Sequence, residues 1–550
     1  MTDKVAEVGS CSNAGTTIRP IPGPKGWPLL GNAPQLGSAP HRQVQRWAQD
    51  YGEIVKVRLG WENWVFVNSP DAVREIFDKQ SARTSGRSPM PVLSDLLSGS
   101  NRLLLLTYGS KWRQLRTIVH KLLTPKASDT YKPSQEFEAK QLLYDIATDN
   151  TDQESFYMHV RRYTTSVVLT STYGLRVPKW VRSGYFINSS RGGKLTASLN
   201  AQDCEDVRQI YDLLKDFTEV AEPGAYIADM FPPLANLPSF LQWWRPAATR
   251  AYERQRKIWM HYWNGLKSSV AEKKAPECFV KQFMESDFEK LGITDVQAGF
   301  VAGSMIEAGS ETTSSALNSC ILYLAANPRV QDIANEELTR VIGDERSPTF
   351  ADEAKLPYIR ATGKEVLRIR PVTTIGSPHY TTSDVVYKDY YIPKDTVVAI
   401  PQYVLHFSSD KWTDPEDFNP SRYLAYPEKA GFYAAQGDAK ARDHFDFGGG
   451  RRICPGMHLA ENSLFITLAK ILWAFKIEPA LDPNGKEMPI DLSDEAYEPG
   501  INTLPKPFKV RFTPRNTRRA EVLKSEWFQA EREGFYLGSV KVDTKGMVVA

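Results

Sequence analysis

The chain has 550 residues, 68 Lys and Arg against 65 Asp and Glu for a net charge of +3, 41% apolar and 24% charged residues, and five cysteines. These values suit a folded body with a large core. They exclude a disordered or fibrous chain, a disulfide-built framework, and a protein that wraps nucleic acid, which needs a strongly basic field.

Residues 1–19 are polar and small, with no basic patch leading into an apolar run, so neither a signal peptide nor a membrane span is expected there. Pro20, Pro22, Gly23, Pro24, Gly26, Pro28 and Gly31 then form a stiff non-helical lead-in. His41 to Tyr51 has helical periodicity, and Ile54 to Leu59 with Trp64 to Asn68 reads as a hairpin pair. Pro70-Asp71 opens a helix expected to run through Phe77, and residues 90–106 form an apolar patch of core or pocket lining. Helical patterns dominate from Lys111 onward, with proline connectors at Pro223, Pro232-Pro233 and Pro238. The longest predicted helix spans Thr294 to Ala326, and its centre, Glu307 to Thr313, contains Gly309, Thr312 and Thr313, which helix propensity disfavours. Such a local conflict often marks a site. Further predicted elements are a helix over Pro357 to Ile369, strands at Val385 to Tyr387 and Thr396 to Ile400, a helix from Met457 to Phe475, and a strand near Phe508 to Phe512.

The most informative segment runs from Phe447 through Gly448, Gly449, Gly450, Arg451, Arg452 and Cys454 to Gly456. Three glycines let the backbone turn where a Cβ would clash. Cys454 stands just before a helix start, where amide dipoles and two arginines favour the thiolate, the form that ligates iron. An inert buried cysteine is the plain alternative for a cysteine taken alone. Glu365 and Arg368 stand three apart, and Trp112 and Arg116 four apart, so each pair shares a helical face.

Together these residues resemble the cytochrome P450 superfamily, whose cysteine-loop pattern is met by Phe447, Gly450, Arg452, Cys454 and Gly456. The resemblance covers the chain from Pro22-Gly23-Pro24 to Phe512. It implies a mainly α fold with small β-sheets (α+β), carried by one haem-binding domain at 20–514 between a polar segment, 1–19, and an extension, 515–550. It implies haem b, with Cys454 as the axial ligand shielded by Phe447. Arg452, Trp112 and Arg116 would meet the propionates, with His379 at the other one. Glu365 and Arg368 would lock the haem-side core together with Arg422. Gly309, Glu311 and Thr312 match the oxygen-activation motif: glycine leaves room for dioxygen, Glu311 supplies protons through water, and an opening of the helix places Thr312 near the oxygen.

The implied reaction takes RH, O₂, two electrons and two protons to ROH and water. The chain carries no flavin or nicotinamide fingerprint, so the resemblance implies a separate NADPH-dependent cytochrome P450 reductase and admits cytochrome b5 as a further donor. Lys440, Arg442 and Arg451 are candidates for the docking surface. The expected pocket lining is Met90 to Leu106, Phe300 to Thr312, Thr373 to Ile375 and Ile501 to Thr503, mainly apolar with some hydroxyls. It favours a hydrophobic, aromatic or polycyclic substrate. The style of the chain resembles filamentous-fungal members that act in secondary metabolism or hydroxylate aromatic compounds. Oxidative phenol coupling or ring cyclisation is the alternative reaction. A haem-thiolate isomerase, dehydratase or sensor is the alternative class, disfavoured by the intact Glu311-Thr312. No nucleic-acid partner is expected. The expected location is cytoplasmic or peripheral at the endoplasmic reticulum.

Overall fold

Thr294 starts the longest helix: its hydroxyl accepts the Gln297 amide at 3.2 Å, as an N-cap threonine does. This helix is one of ten with twelve or more residues among the described residues of the computed structural model, which describes 18–149, 152–178, 212–213, 217, 220, 225–500, 502–543 and 548–549. In chain order they are α1 (Pro40–Tyr51), α2 (Ser110–Leu122), α3 (Lys132–Thr148), α4 (Phe156–Tyr173), α5 (Arg245–Ala271), α6 (Asp295–Ala326), α7 (Pro328–Val341), α8 (Pro357–Ile369), α9 (Met457–Ala474) and α10 (Thr517–Glu533). The strands are β1 (Ile54–Leu59), β2 (Glu62–Val67), β3 (His379–Tyr380), β4 (Val385–Tyr387), β5 (Tyr390–Ile392), β6 (Val397–Ala399), β7 (Phe475–Pro479), β8 (Val510–Pro514), β9 (Phe535–Leu537), β10 (Val540–Val542) and β11 (Val548–Val549).

This is the mainly α fold with small sheets that the sequence predicts. Two large apolar clusters share α6. One joins α3, α4, α6, α8 and α9 around Leu317, Ile321, Val366 and Trp473. The other joins α2, α5 and α6 around Leu115, Trp263 and Ile306. The largest sheet has the order β1-β2-β6-β3: β1 and β2 are antiparallel, β2 runs parallel to β6, and β3 is antiparallel to β6. A lone bridge between Gly86 and Tyr380 carries the chain at 84–87 to the end of β3, beside His379.

The structure departs from the sequence expectation in three places. The helix begun at Pro70, capped by Ser69, is α-helical only to Val73 and widens into π-type turns over Arg74–Lys79. This widened stretch presents the Phe77 carbonyl and the Asp78 carboxylate to the cysteine loop described below, and π turns recur at such positions. At its centre α6 does not open: it is α-helical throughout, and the Thr312 hydroxyl donates to the Ala308 carbonyl at 2.5 Å, a bond within the helix. Third, the patch at 90–106 is mixed, with Val92, Leu93, Leu97 and Leu103 buried and Leu104 exposed. Of the sequence-level readings, most of the 1–19 segment, the connector at Pro223, and Ile501 lie outside the described residues.

The chain beyond Pro514 packs onto the body. From α10, Trp527 meets Phe137 of α3 at 5.5 Å between ring centres. Arg519 is buried and donates to Asp344 (2.6 Å), Asn335 (2.8 Å), Thr339 (2.8 Å) and the Trp473 carbonyl (2.9 Å). Glu526 accepts the Ser347 amide at 2.8 Å, and the Ser347 hydroxyl accepts Lys470 of α9 at 2.5 Å. After α10 the antiparallel pair β9 and β10 brings the Leu537 carbonyl to the Glu277 amide at 3.4 Å.

Candidate active site

The cysteine loop is held by its backbone. The Cys454 amide donates to the Phe447 carbonyl at 2.9 Å, and the Gly448 amide to the Phe445 carbonyl at 2.8 Å. Gly450 has φ +62°, and a Cβ there would stand 2.2 Å from the Phe77 carbonyl oxygen. Its amide donates to Asp78 at 2.8 Å. A side chain is therefore refused twice, by conformation and by contact. Gly450→Ala is expected to lower stability by at least about 1–3 kcal/mol, read as a shift in the urea midpoint of the holoenzyme; an unmoved midpoint would mean that the loop is not docked on Phe77. Gly456 has an ordinary φ of −85° and caps α9.

Cys454 is half-buried. Burial pushes its thiol up; the Gly456 amide and Arg116 pull it down, while Asp446 pushes it up again, and burial prevails. Arg116, from α2, is the arginine that acts on the sulfur. Phe447, partly buried against the core, lies 5.5 Å from the His444 ring, centre to centre.

Above the loop, cations converge without counter-charges. Arg452 lies 4.4 Å over the Trp112 ring and donates to the carbonyls of Ser85 (3.0 Å) and Leu106 (2.6 Å). Arg116 donates to the Ile453 carbonyl, and Arg87 to the carbonyls of Leu104 (2.9 Å) and Pro378 and to the Ser377 hydroxyl (3.0 Å). The His379 ring nitrogen Nδ1 meets the Thr84 carbonyl at 2.9 Å. Burial, then repulsion from Arg87 and Arg116, pushes Arg452 down to about 8. Burial also pushes Arg87 to about 10, and burial, Arg87 and Arg452 hold His379 well below its ordinary value. None of the three arginines has a carboxylate partner among the described residues. Guanidinium groups keep their protons in proteins, so this buried positive cluster fits an anionic ligand with more than one acceptor oxygen, as the two haem propionates provide. Arg87 carries no motif; the Gly86–Tyr380 bridge and the Thr84–His379 contact bring it here.

On α6, Ser304, Met305, Ala308, Gly309, Glu311 and Thr312 are the only residues between Gln297 and Ala325 that keep solvent access. At about 100° per residue they form one stripe in the middle of a buried helix, so α6 borders a chamber there. Val168 of α4 stands 2.7 Å from where a Gly309 Cβ would be, which gives that glycine a packing reason. Asn502 donates to Glu311 at 3.2 Å, and the loop that carries it is pinned by Ser315 donating to the Thr503 carbonyl at 2.5 Å. Phe300, expected in the lining, is instead buried and stacked on Tyr252 at 5.6 Å.

Beneath the cysteine loop, Glu365 and Arg368 are fully buried and bidentate at 2.7 and 2.8 Å. Arg368 also donates to the carbonyls of His406 (3.1 Å), Pro415 (2.7 Å) and Asp417 (3.0 Å). The Asn419 amide donates to Glu365 at 2.8 Å, and Arg422 Nε lies 3.4 Å from the same carboxylate. Of the basic residues considered for docking, Lys440 and Arg451 are exposed. Arg442 is not available: it is buried over the Phe445 ring and donates to the carbonyls of His444 and Gly448.

Residues 21–512 match the cytochrome P450 family. The chain is 41% identical over 529 residues to the cytochrome P450 monooxygenase pgmC of Aspergillus terreus, covering 96% of this chain and 92% of the relative. It is 38% identical over 517 residues to the monooxygenase verL of Clonostachys rogersoniana, with 93% and 90% covered. Against the cytochrome P450 monooxygenase 231 of Postia placenta it is 31% identical over 558 residues, with 95% and 94% covered. With a match that spans nearly the whole chain and takes in the cysteine loop, the arginines around it and α6, this chain belongs to the cytochrome P450 family and is an enzyme of its monooxygenase class.

Proposed function

We propose that the enzyme uses O₂ and two electrons from an NADPH-dependent cytochrome P450 reductase to hydroxylate a hydrophobic, aromatic or polycyclic natural-product intermediate. The open stripe of α6 carries this reading. It combines small and apolar side chains, Ala308, Gly309 and Met305, with one carboxylate and one threonine hydroxyl. A flat apolar molecule suits such a wall, with Glu311 and Thr312 left to handle protons.

When bound, the haem supplies oxygen activation and accepts the electrons. Cys454 would ligate its iron, Phe447 would shield the sulfur, and Arg116, Arg452 and His379, with Arg87, would hold its propionates. Asn502 keeps the Glu311 carboxylate oriented. The Thr312 hydroxyl, bonded to Ala308, would turn from that carbonyl to serve as a donor. Glu311→Gln keeps the Asn502 bond and removes the ionisable proton; product formation should fall roughly 100-fold, with NADPH still consumed without product. Unchanged coupling of NADPH to product would exclude Glu311 from proton delivery.

The direct test is holoenzyme reconstituted with the reductase and NADPH on a panel of polyketide and other aromatic substrates. Gain of one oxygen atom supports hydroxylation, loss of two hydrogens supports coupling or cyclisation, and no conversion across the panel counts against the substrate class. No helix among the described residues is long and apolar enough to cross a membrane. The exposed Trp27, Leu29, Leu30, Phe240, Leu241 and Trp243 support peripheral contact with a membrane surface.

A further inference from the structure

At the edge of the open stripe of α6 lies a buried charge that the chemistry above does not use. Glu307 accepts Arg102 Nη2 at 2.6 Å, and both residues are buried. Arg102 belongs to the segment before α2, and the same nitrogen donates to Gln255 Oε1 of α5 at 2.8 Å. The guanidinium lies 4.1 Å over the Phe217 ring. Among the described residues its Nε and Nη1 have no hydrogen-bond partner, and neither does Gln255 Nε2. One turn along α5, Trp259 Nε1 is also buried without a partner, and its indole occupies the space left by Gly303, one turn before Glu307 on α6.

Donors therefore outnumber acceptors where these three elements meet. Buried N–H groups are almost always paired, so this set of donors suits a group that brings acceptor oxygens. Burial pushes Glu307 up and Arg102 down, each only partly offset by the other, so the pair alone leaves the junction under-compensated. The face of α6 that keeps solvent access runs beside this junction, at Ala308, the residue after Glu307.

We propose that Arg102 and Gln255 form the polar subsite of the substrate chamber, donating hydrogen bonds to a carbonyl or phenolic oxygen of the substrate. Glu307 is the positioning residue that holds Arg102 in place. The proposal rests on the aromatic-substrate reading above and adds to it that the ring system must carry an oxygen away from the position that is oxidised.

The test is optical titration of the holoenzyme, following the Soret band, with fluorenone and with fluorene, which share a ring skeleton and differ at one carbonyl. Wild-type enzyme should bind fluorenone more tightly. Arg102→Met strands Glu307 and risks misfolding, so the decisive variant is the double substitution R102M/E307M, which removes both charges, checked for wild-type thermal unfolding; Q255L is the companion. The double variant should lose roughly 10- to 100-fold in fluorenone affinity and keep its affinity for fluorene. An undiminished fluorenone preference in the double variant, or equal binding of the two probes by wild type, overturns the subsite and leaves the aromatic reading standing. If neither probe binds wild-type enzyme, the aromatic reading itself fails and the subsite falls with it.

Discussion

Cys454→Ser is expected to abolish monooxygenation and to remove the red-shifted Soret band that a thiolate haem gives on reduction under carbon monoxide. Serine matches the cysteine closely in size, and the contacts that shape the loop, the Cys454 amide to the Phe447 carbonyl and Gly450 on Phe77, are backbone contacts that survive the exchange. The loss should therefore come from chemistry and not from unfolding. A thiol raised by burial, with Arg116 and the Gly456 amide pulling the other way, is still within reach of deprotonation by a metal. A buried serine hydroxyl has no comparable acidity and cannot supply the electron-rich axial ligand that assists O–O cleavage. Absorbance of the reduced carbon monoxide complex, beside circular dichroism of the same sample, decides the matter. A variant that keeps both the band and the turnover would remove Cys454 from the metal.

The second large effect is structural. Arg368→Leu should destabilise the protein by about 3–5 kcal/mol, the usual outcome of removing one partner from a buried pair. It leaves the fully buried Glu365 with the Asn419 amide at 2.8 Å and, as its nearest cation, Arg422 at 3.4 Å, and it takes the donor from three backbone carbonyls. Burial alone would lower Arg368, but Glu365 outweighs it, so the guanidinium ends above its ordinary value. The measurements are the urea midpoint and the fraction of protein recovered with haem. Arg518→Leu, which breaks an exposed pair with Glu345, serves as the control and should leave both unchanged. Equal behaviour of the two variants would refute the buried lock.

What could be read from the chain was local. The spacing of Glu365 and Arg368, that of Trp112 and Arg116, and the glycine-rich approach to Cys454 each point to a shared face or a forced turn, because helix and turn geometry act over a few residues. What was not legible depends on contacts between distant parts of the chain. Arg102 reaches Glu307 across 205 positions, and Arg87 reaches His379 because Gly86 bridges Tyr380 and Thr84 contacts His379. Arg442 looked like surface charge and is instead a buried brace for the glycine turn. Propensity raised an alarm at the centre of α6, but the helix stays intact: packing against α4, where Val168 and Thr164 meet Gly309 and Ser310, outweighs the local cost.

The packing of α10 has a consequence for how the molecule is made. Arg519 and Glu526 brace the helix that follows the cysteine loop, through the Trp473 carbonyl and through Ser347 to Lys470. These residues lie well downstream of the cysteine loop in the chain, so the nascent chain cannot finish the support of its metal-binding end when that loop emerges, but only once α10 has been made and has docked. Stable loading of the cofactor should accordingly wait for α10, and a variant whose α10 is displaced from the body should accumulate pale.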